Sequence, residues 1–137
     1  MRFGVGVDYS LKALIMLAER YPSTQPLRVE EIAEIQRIPE NYLRRLLIEL
    51  KRGGLVVSQK GPNGGYMLAR QPGRITMAHV VETIEGDYLP SDPCRREEFC
   101  AMRDVWREVR ESVTSVLSRT TLQSLADRRK TVATYQI

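Results

Sequence analysis

The 137-residue sequence predicts a mainly α-helical fold that carries one small β-hairpin. Three observations support this fold class. Apolar residues recur at steps of three and four in several segments, which is the period of amphipathic helices. A proline separates two such segments between residues 28 and 52, and two β-prone runs with a glycine-rich loop between them follow. With 42% hydrophobic and 28% charged residues, the chain can bury one modest core.

The first predicted helix covers residues 7–21 and is apolar nearly all round. A helix with few polar positions has to be covered on more than one side, so we expect it to pack on the core and on a second subunit. Its polar exceptions, Asp8 and Lys12, stand four residues apart on one face. The ordinary interpretations are an intrahelical ion pair or a carboxylate favoured at the start of the helix by the macrodipole.

Two helices joined by a tight turn are predicted next. The segment RVEEIAEIQRI has its apolar residues near helical spacing and its glutamates on the solvent side. Pro39 ends this pattern, because a proline disfavours helical geometry at the preceding residue but fits the first turn of a new helix. The second helix is predicted over residues 39–52 and has a cationic outer face. That face holds Asn41, Arg44, Arg45 and Lys51.

A two-stranded hairpin is predicted after the second helix. Gly53 and Gly54 can close that helix, since a residue without a β-carbon adopts the left-handed conformation easily. Residues 55–58 and 66–69 are β-prone, and the turn-rich segment 59–65 joins them. A helix-turn-helix that carries such a hairpin is a winged helix, which is a DNA-reading module.

The charge distribution agrees with DNA binding. Between Arg37 and Lys60 there are six basic and two acidic residues, so this segment carries four net positive charges, as many as the whole chain. The positive excess is therefore concentrated where phosphates would be contacted. The alternative is that these side chains merely solvate an ordinary helix, which is the usual role of a charge run. The order of helix, proline turn, helix, double glycine and hairpin favours DNA binding.

The next part of the chain is predicted to hold a short helix and an irregular segment. Thr76 can cap a helix that stops at Gly86. The single histidine, His79, is interpreted as a structural or surface residue, because no partner stands at catalytic or ligand spacing. Residues 87–100 lack periodicity and contain both cysteines of the chain. A loop of this length is commonly functional.

A long helix with one apolar stripe is predicted from Ala101 onward. With no further core to bury that stripe, we expect the helix to pair with its copy in a second subunit. The sequence Thr120-x-x-Gln123 resembles a capping box, which predicts a short helix over residues 122–129. Residues 130–137 are expected to form a flexible tail. The predicted units are a winged helix-turn-helix domain (1–86), a sensor loop (87–100), a dimerisation segment (101–129) and the tail (130–137).

Composition and motifs exclude several other classes. The pI near 9.3 favours a polyanionic partner. No apolar run is long enough to cross a bilayer and the amino terminus lacks the build of a secretory signal, so we expect a cytoplasmic protein without a membrane partner. Two cysteines are too few for a disulfide scaffold. We do not expect an enzyme, because the sequence contains no paired carboxylates, nucleophile beside a histidine or phosphate-binding glycine loop.

Over residues 1–129 the chain resembles the IscR, NsrR and CymR family of bacterial winged-helix regulators. The resemblance lies in DYSLKALIMLA, IPENYLRRLLIELKRGGLV, SQKGPNGGYMLAR, ITMAHVVETIEG and the cysteine loop before a tryptophan-containing helix. It implies a homodimeric, sequence-specific transcription factor whose recognition helices enter successive major grooves of double-stranded DNA. Some cluster-binding relatives have a glutamate where Arg44 stands, and an arginine there is expected to prefer guanine. The expected DNA-contacting residues are Asn41, Tyr42, Arg44, Arg45, Lys51, Ser58, Lys60 and Asn63.

The resemblance also implies a candidate iron–sulfur site. Family members that bind a cluster carry three cysteines in the loop, and Cys94 and Cys100 match the second and third of them. By spacing, Tyr88 stands where the first cysteine would be. Asp8 matches an acidic ligand that some relatives donate from the partner subunit, and Lys12 stands where others have a histidine. A two-iron cluster is the favoured type, although a fourth ligand is missing. A redox-active or free thiol pair and inert cysteines are the alternatives.

These observations lead to three functional hypotheses. The first is a dimeric transcriptional regulator that senses redox or iron–sulfur status through a cluster or a thiol pair at Cys94 and Cys100. The second is a regulator without a cofactor that responds to thiol oxidation or to a partner protein. The third, from a different class, is a protein-interaction module without a DNA operator. The basic residues on the recognition helix argue against the third hypothesis.

Overall fold

The computed structural model describes residues 3–89 and 101–135. Cys94 and Cys100 lie outside these residues. The described parts contain six α-helices and one hairpin, which confirms the predicted mainly helical winged fold. The elements are α1 (Val5–Arg20), α2 (Val29–Gln36), α3 (Glu40–Arg52), β1 (Val56–Gln59), β2 (Gly65–Leu68), a short 3-10 turn (Pro72–Arg74), α4 (Met77–Glu85), α5 (Arg103–Arg119) and α6 (Leu122–Tyr135).

Helix α1 is the centre of the core and packs on α2, α3, α4, α6 and β2. Its residues Ala13 and Leu14 are fully buried, as the sequence predicts for a helix covered on several sides. The helix begins at Val5, two residues before its predicted start. The Gly4 amide just before it donates a hydrogen bond to Glu85 Oε1 at 2.9 Å. The end of α4 therefore caps the start of α1.

The turn between α2 and α3 is shaped by Arg37, whose left-handed backbone (φ 55°) ends α2. The Ile38 amide donates to the carbonyl of Ala33 at 3.0 Å, and the Leu43 amide donates to that of Pro39 at 2.9 Å. Pro39 thus precedes α3 as its cap, whereas the sequence predicted it inside the first turn. The prediction of a proline turn between two helices is confirmed.

The hairpin is antiparallel and pairs Val56 with Leu68 and Gln59 with Gly65. β1 begins one residue later than predicted, because the Leu55 amide closes α3 by donating to the Leu50 carbonyl at 3.0 Å. β2 begins one residue earlier than predicted. The segment before α2 bridges to it, and a β-carbon at Gly65 would lie 2.2 Å from the Leu27 carbonyl oxygen. Glycine is required there by this close approach.

The start of α4 confirms the structural interpretation of His79. Thr76 Oγ1 accepts a hydrogen bond from the His79 amide, and His79 Nδ1 accepts one from the Thr76 amide, both at 3.2 Å. The imidazole thus replaces the glutamate of an ordinary capping box. Gly86 ends the helix with φ 69°, as predicted.

The predicted cap of α6 was wrong by one residue. Thr121 and Ser124 exchange the reciprocal hydrogen bonds of a capping box at 3.0 and 3.1 Å, while Thr120 Oγ1 donates to the Val116 carbonyl. The reason is that the Met77 amide holds the Thr120 carbonyl at 2.8 Å, which places Thr121 at the cap position. The predicted end at residue 129 was also wrong, since α6 continues as a helix to Tyr135.

Helix α5 leaves part of its apolar stripe uncovered. Leu117 is buried against α4 and Val113 is partly buried there, but Met102, Val105 and Val116 are 55%, 59% and 46% exposed. An apolar row of this kind on a long helix is typical of a protein–protein interface. None of the helices in residues 3–89 and 101–135 combines the length and the apolar character that crossing a membrane would need.

Candidate nucleic-acid interface

Helix α3 has one buried side and one exposed side, as the sequence predicts. Leu43, Leu47 and Leu50 are fully buried, and the core they fill fixes the orientation of the helix. The side chains of Asn41, Arg44, Arg45 and Lys51 are exposed. Helix α3 therefore presents amide, guanidinium and ammonium donors to solvent from a rigid base.

Arg44 is held by two carboxylates. Its Nη2 lies 2.6 Å from Glu30 Oε1 of α2 and 3.4 Å from Glu40 Oε2 of α3. The Glu30 hydrogen bond raises the pKa of Arg44 above its ordinary value. The pKa of Glu30 is lowered first by a hydrogen bond from its own backbone amide and then by Arg44. Glu30 was missed as part of this site, because the sequence assigns it only to a solvent-facing position.

Arg45 has a different environment from its neighbour. Its guanidinium lies over the ring of Tyr42, 5.3 Å from the centroid. The Tyr42 ring in turn makes an edge contact with Tyr9 of α1 at 5.8 Å. The Tyr42 hydroxyl packs against the backbone of Gly6, where a β-carbon would lie 2.9 Å away. A chain of contacts thus connects α1 to the exposed face of α3.

The hairpin wing is joined to α3 by one polar contact. Lys51 Nζ donates to Ser58 Oγ at 2.7 Å, which links the end of the helix to β1. Lys60 and Asn63 are exposed in the wing tip, and their side chains form no hydrogen bond or ion pair within the described residues. Gly61 gives the tip its turn with φ 113°. The wing tip therefore offers two unengaged polar side chains.

Four of the eight predicted DNA-contacting residues contact one another within the described residues, and the other four do not. Lys51 contacts Ser58 and Arg45 contacts Tyr42, whereas Arg44 is engaged by glutamates that the prediction did not include. Tyr42 is only half-buried, and its ring supports Arg45. Their contacts with DNA stay a prediction. What the fold provides is an exposed cationic helix next to an exposed wing.

The described residues do not build a complete iron–sulfur site. Asp8 is 60% exposed and paired with Lys12 at 3.0 Å, which confirms the predicted ion pair. Tyr88 packs on Phe3 at 5.9 Å, and burial together with the Glu82 charge raises its pKa. A protonated phenol does not replace the thiolate that such clusters need. Within residues 3–89 and 101–135, no three histidine, cysteine, aspartate or glutamate side chains are grouped to hold a metal.

Comparison with known proteins identifies the class of this fold. The Rrf2 family model, described as an iron-dependent transcriptional regulator, matches residues 4–128. The transcriptional regulator CymR of Bacillus subtilis is 36% identical over 126 residues, which cover 92% of this chain and 90% of CymR.

Solved structures agree with the sequence comparison. The structure of B. subtilis CymR, described as the global cysteine regulator, superimposes with a TM-score of 0.85 at 32% identity and covers 93% of this chain and 98% of that one. IscR of T. potens superimposes with a TM-score of 0.78 at 31% identity and covers 94% and 88%. These relatives are transcriptional regulators and not enzymes. The chain therefore belongs to the Rrf2 family of helix-turn-helix transcriptional regulators.

Proposed function

We propose that this protein binds a specific DNA operator by placing α3 in the major groove and the wing on the flanking backbone. The observation that carries the proposal is the exposed donor row of Asn41, Arg44 and Arg45 on a helix whose other side is fully buried. Side chains at the start of a recognition helix are those that reach base edges in this motif. Lys60 and Asn63 at the wing tip extend the contact to the sugar–phosphate backbone.

We further propose that two copies bind together. The exposed apolar residues Val105 and Val116 of α5, with Met102 just before the helix, support this step, because pairing with the same helix of a second copy would remove them from water. A two-fold axis through α5 gives two recognition helices, and these can read half-sites about 34 Å apart. The expected operator is near-palindromic, and binding takes place in the bacterial cytoplasm.

DNA binding is tested by titrating labelled duplex at several salt concentrations and by footprinting on an operator selected from a random-sequence pool. We expect a protected sequence and an affinity that falls as salt rises, because released counterions drive the association. Analytical ultracentrifugation on the same sample is expected to give a dimer. Binding that is absent at low salt, or indifferent to salt, would instead favour the protein-interaction module.

We propose that Cys94 and Cys100 make this regulator sensitive to redox or iron–sulfur status. Two sequence observations support it: the two thiols lie six positions apart, and Arg95, Arg96 and Arg103 close by favour thiolates. The family's description as iron-dependent favours a cluster. In the thiol form, two thiols lose two protons and two electrons to an oxidant and form a disulfide.

The two forms of sensing are separated by protein purified without oxygen. A bound two-iron cluster gives coloured protein with measurable iron, and Cys94→Ala abolishes the colour. Colourless protein without iron that forms a Cys94–Cys100 disulfide under hydrogen peroxide, detected by mass spectrometry, supports the thiol pair. If the protein is colourless and oxidation of its thiols leaves its DNA affinity unchanged, both the cluster form and the thiol form of sensing are contradicted.

A further inference from the structure

We propose that Glu30 is a specificity-determining residue of the DNA-binding surface: it withholds the Arg44 guanidinium from phosphates of the wrong sequence. This inference rests on the proposed operator binding. It starts from the fact that Arg44 and Arg45 are adjacent on one exposed helix face but are held in opposite ways. The Arg44 guanidinium contacts the carboxylates of Glu30 and Glu40 at 2.6 and 3.4 Å. The Arg45 guanidinium lies over an aromatic ring instead and has no carboxylate partner within the described residues.

Both carboxylates contact the same nitrogen of Arg44. Glu30 Oε1 and Glu40 Oε2 both approach Nη2, which has only two hydrogens to donate. A guanidinium reads guanine O6 and N7 through two N–H groups, either Nη1 with Nη2 or Nε with Nη2. Each of these arrangements needs a hydrogen of Nη2. Arg44 therefore has to release a carboxylate before it can make a two-point contact with a base.

Release has different consequences on different DNA sequences. A guanine at the correct position returns two charge-assisted hydrogen bonds and compensates for the lost carboxylate contact. A phosphate of unrelated DNA can also accept two hydrogen bonds from a guanidinium, but it is an anion, so the negative charges of Glu30 and Glu40 repel it, whereas the neutral edge of guanine is not repelled. The ion pair thus lowers the affinity for unrelated DNA more than the affinity for the operator. The specificity would thus come from repulsion between these carboxylates and the phosphates of unrelated DNA.

The test compares Glu30→Gln with Glu34→Gln. Glu34 is exposed on the same helix and its side chain forms no ion pair or hydrogen bond within the described residues, so its replacement removes the same charge without freeing Arg44. On a duplex of scrambled sequence, we expect Glu30→Gln to bind about threefold more tightly than Glu34→Gln. We also expect the dependence of log affinity on log salt to steepen by about one unit, because one further cation can meet a phosphate. The ratio of operator to scrambled affinity should fall.

The Arg44→Ala background provides the decisive control. If the effect of Glu30→Gln acts through the guanidinium, it disappears when Arg44 is alanine, which makes the two substitutions a double-mutant cycle. Glu40→Gln, which frees the longer contact, is expected to act in the same direction with a smaller change. It provides a second variant should Glu30→Gln fold poorly in a thermal unfolding measurement.

Three results would overturn the inference. One is equal binding of scrambled DNA by Glu30→Gln and Glu34→Gln. Another is weaker operator binding by Glu30→Gln with an unchanged specificity ratio, because Glu30 would then support Arg44 in the complex. The third is an effect that persists in the Arg44→Ala background. Failure of the proposed function is distinguishable, since the unmodified protein would then show no salt-dependent DNA binding at all.

Discussion

Helices α3 and α5 have the same apolar period but different surroundings. Within one chain, α3 buries Leu43, Leu47 and Leu50 completely, and its exposed face is polar. In α5 only Leu117 is buried, and valines that continue the same stripe face solvent. The comparison teaches that periodicity predicts which side of a helix is apolar but not which molecule covers it. Helix α3 is thus complete within one subunit, whereas α5 keeps an exposed apolar row that the proposed dimer would bury.

The largest expected effect comes from a cavity beneath α3, which tests whether the core of one subunit covers this helix. Leu47→Ala removes a fully buried side chain, and we expect it to lower the free energy of unfolding by about 2 to 5 kcal/mol. Urea denaturation followed by circular dichroism measures the change. Ile48→Ala, a partly exposed neighbour, should cost much less. Equal losses for the two variants would contradict the orientation of α3.

A charge on the apolar face of α5 should affect assembly without unfolding the subunit. Val105 is 59% exposed, so Val105→Asp is expected to leave the single subunit folded. In the proposed dimer the new carboxylate would be buried without a partner, and self-association should weaken by roughly tenfold or more. Sedimentation velocity measures the self-association. Val132→Asp, at an exposed position of α6, is the matched control. An unchanged dimer would show that α5 is not the interface.

Ser10 gives an opposite expectation, because its removal should stabilise the core around α1. Its side chain is fully buried and Oγ has no hydrogen-bond partner within the described residues. Ser10→Ala removes an unsatisfied polar group, and we expect a gain of about 1 kcal/mol in the free energy of unfolding. Ser112→Ala on exposed α5 controls for the higher helix propensity of alanine. A gain no larger than that of the control would contradict the expectation.

The smallest expected effect concerns the aromatic support of Arg45. Tyr42→Phe keeps the ring beneath the guanidinium, whereas Tyr42→Leu removes it. We expect Tyr42→Leu to weaken operator binding by about threefold, which is the size of one exposed cation–π contact. Fluorescence anisotropy titration measures the affinity. Equal weakening in Tyr42→Phe would instead show that operator binding depends on the hydroxyl rather than on the ring beneath Arg45.

Much of the α3 region was predictable because its signals are local. The proline turn, the double glycine and the turn-rich loop each act on neighbouring residues, so the order of elements could be derived from spacing alone. The start of β2 was wrong by one residue, because it depends on Leu27, which is far away in sequence and pairs with Tyr66. The start of β1 was also wrong by one residue, because the Leu55 amide is used to close α3. The cap of α6 was misplaced for the same reason, since the start of α4 determines it.

The candidate site shows the same division between local and long-range information. The exposed donors of α3 followed from the helical period. The Glu30–Arg44 pair joins two helices across 14 positions, and its existence depends on how α2 packs on α3. Nothing in the spacing of the glutamates of α2 indicates which one faces an arginine. The support of Arg45 by Tyr42 and Tyr9 likewise requires the packing of α1 on α3.

The position of α6 has a consequence for synthesis of the chain. Its residues Leu122 and Ala126 are buried in the core beside α1, so α1 lacks part of its cover until α6 emerges from the ribosome. A nascent chain that stops before Leu122 would expose apolar surface of α1 to proteases and chaperones. The core around α1 is thus completed only after α6 has been made, although most of the winged domain is made earlier.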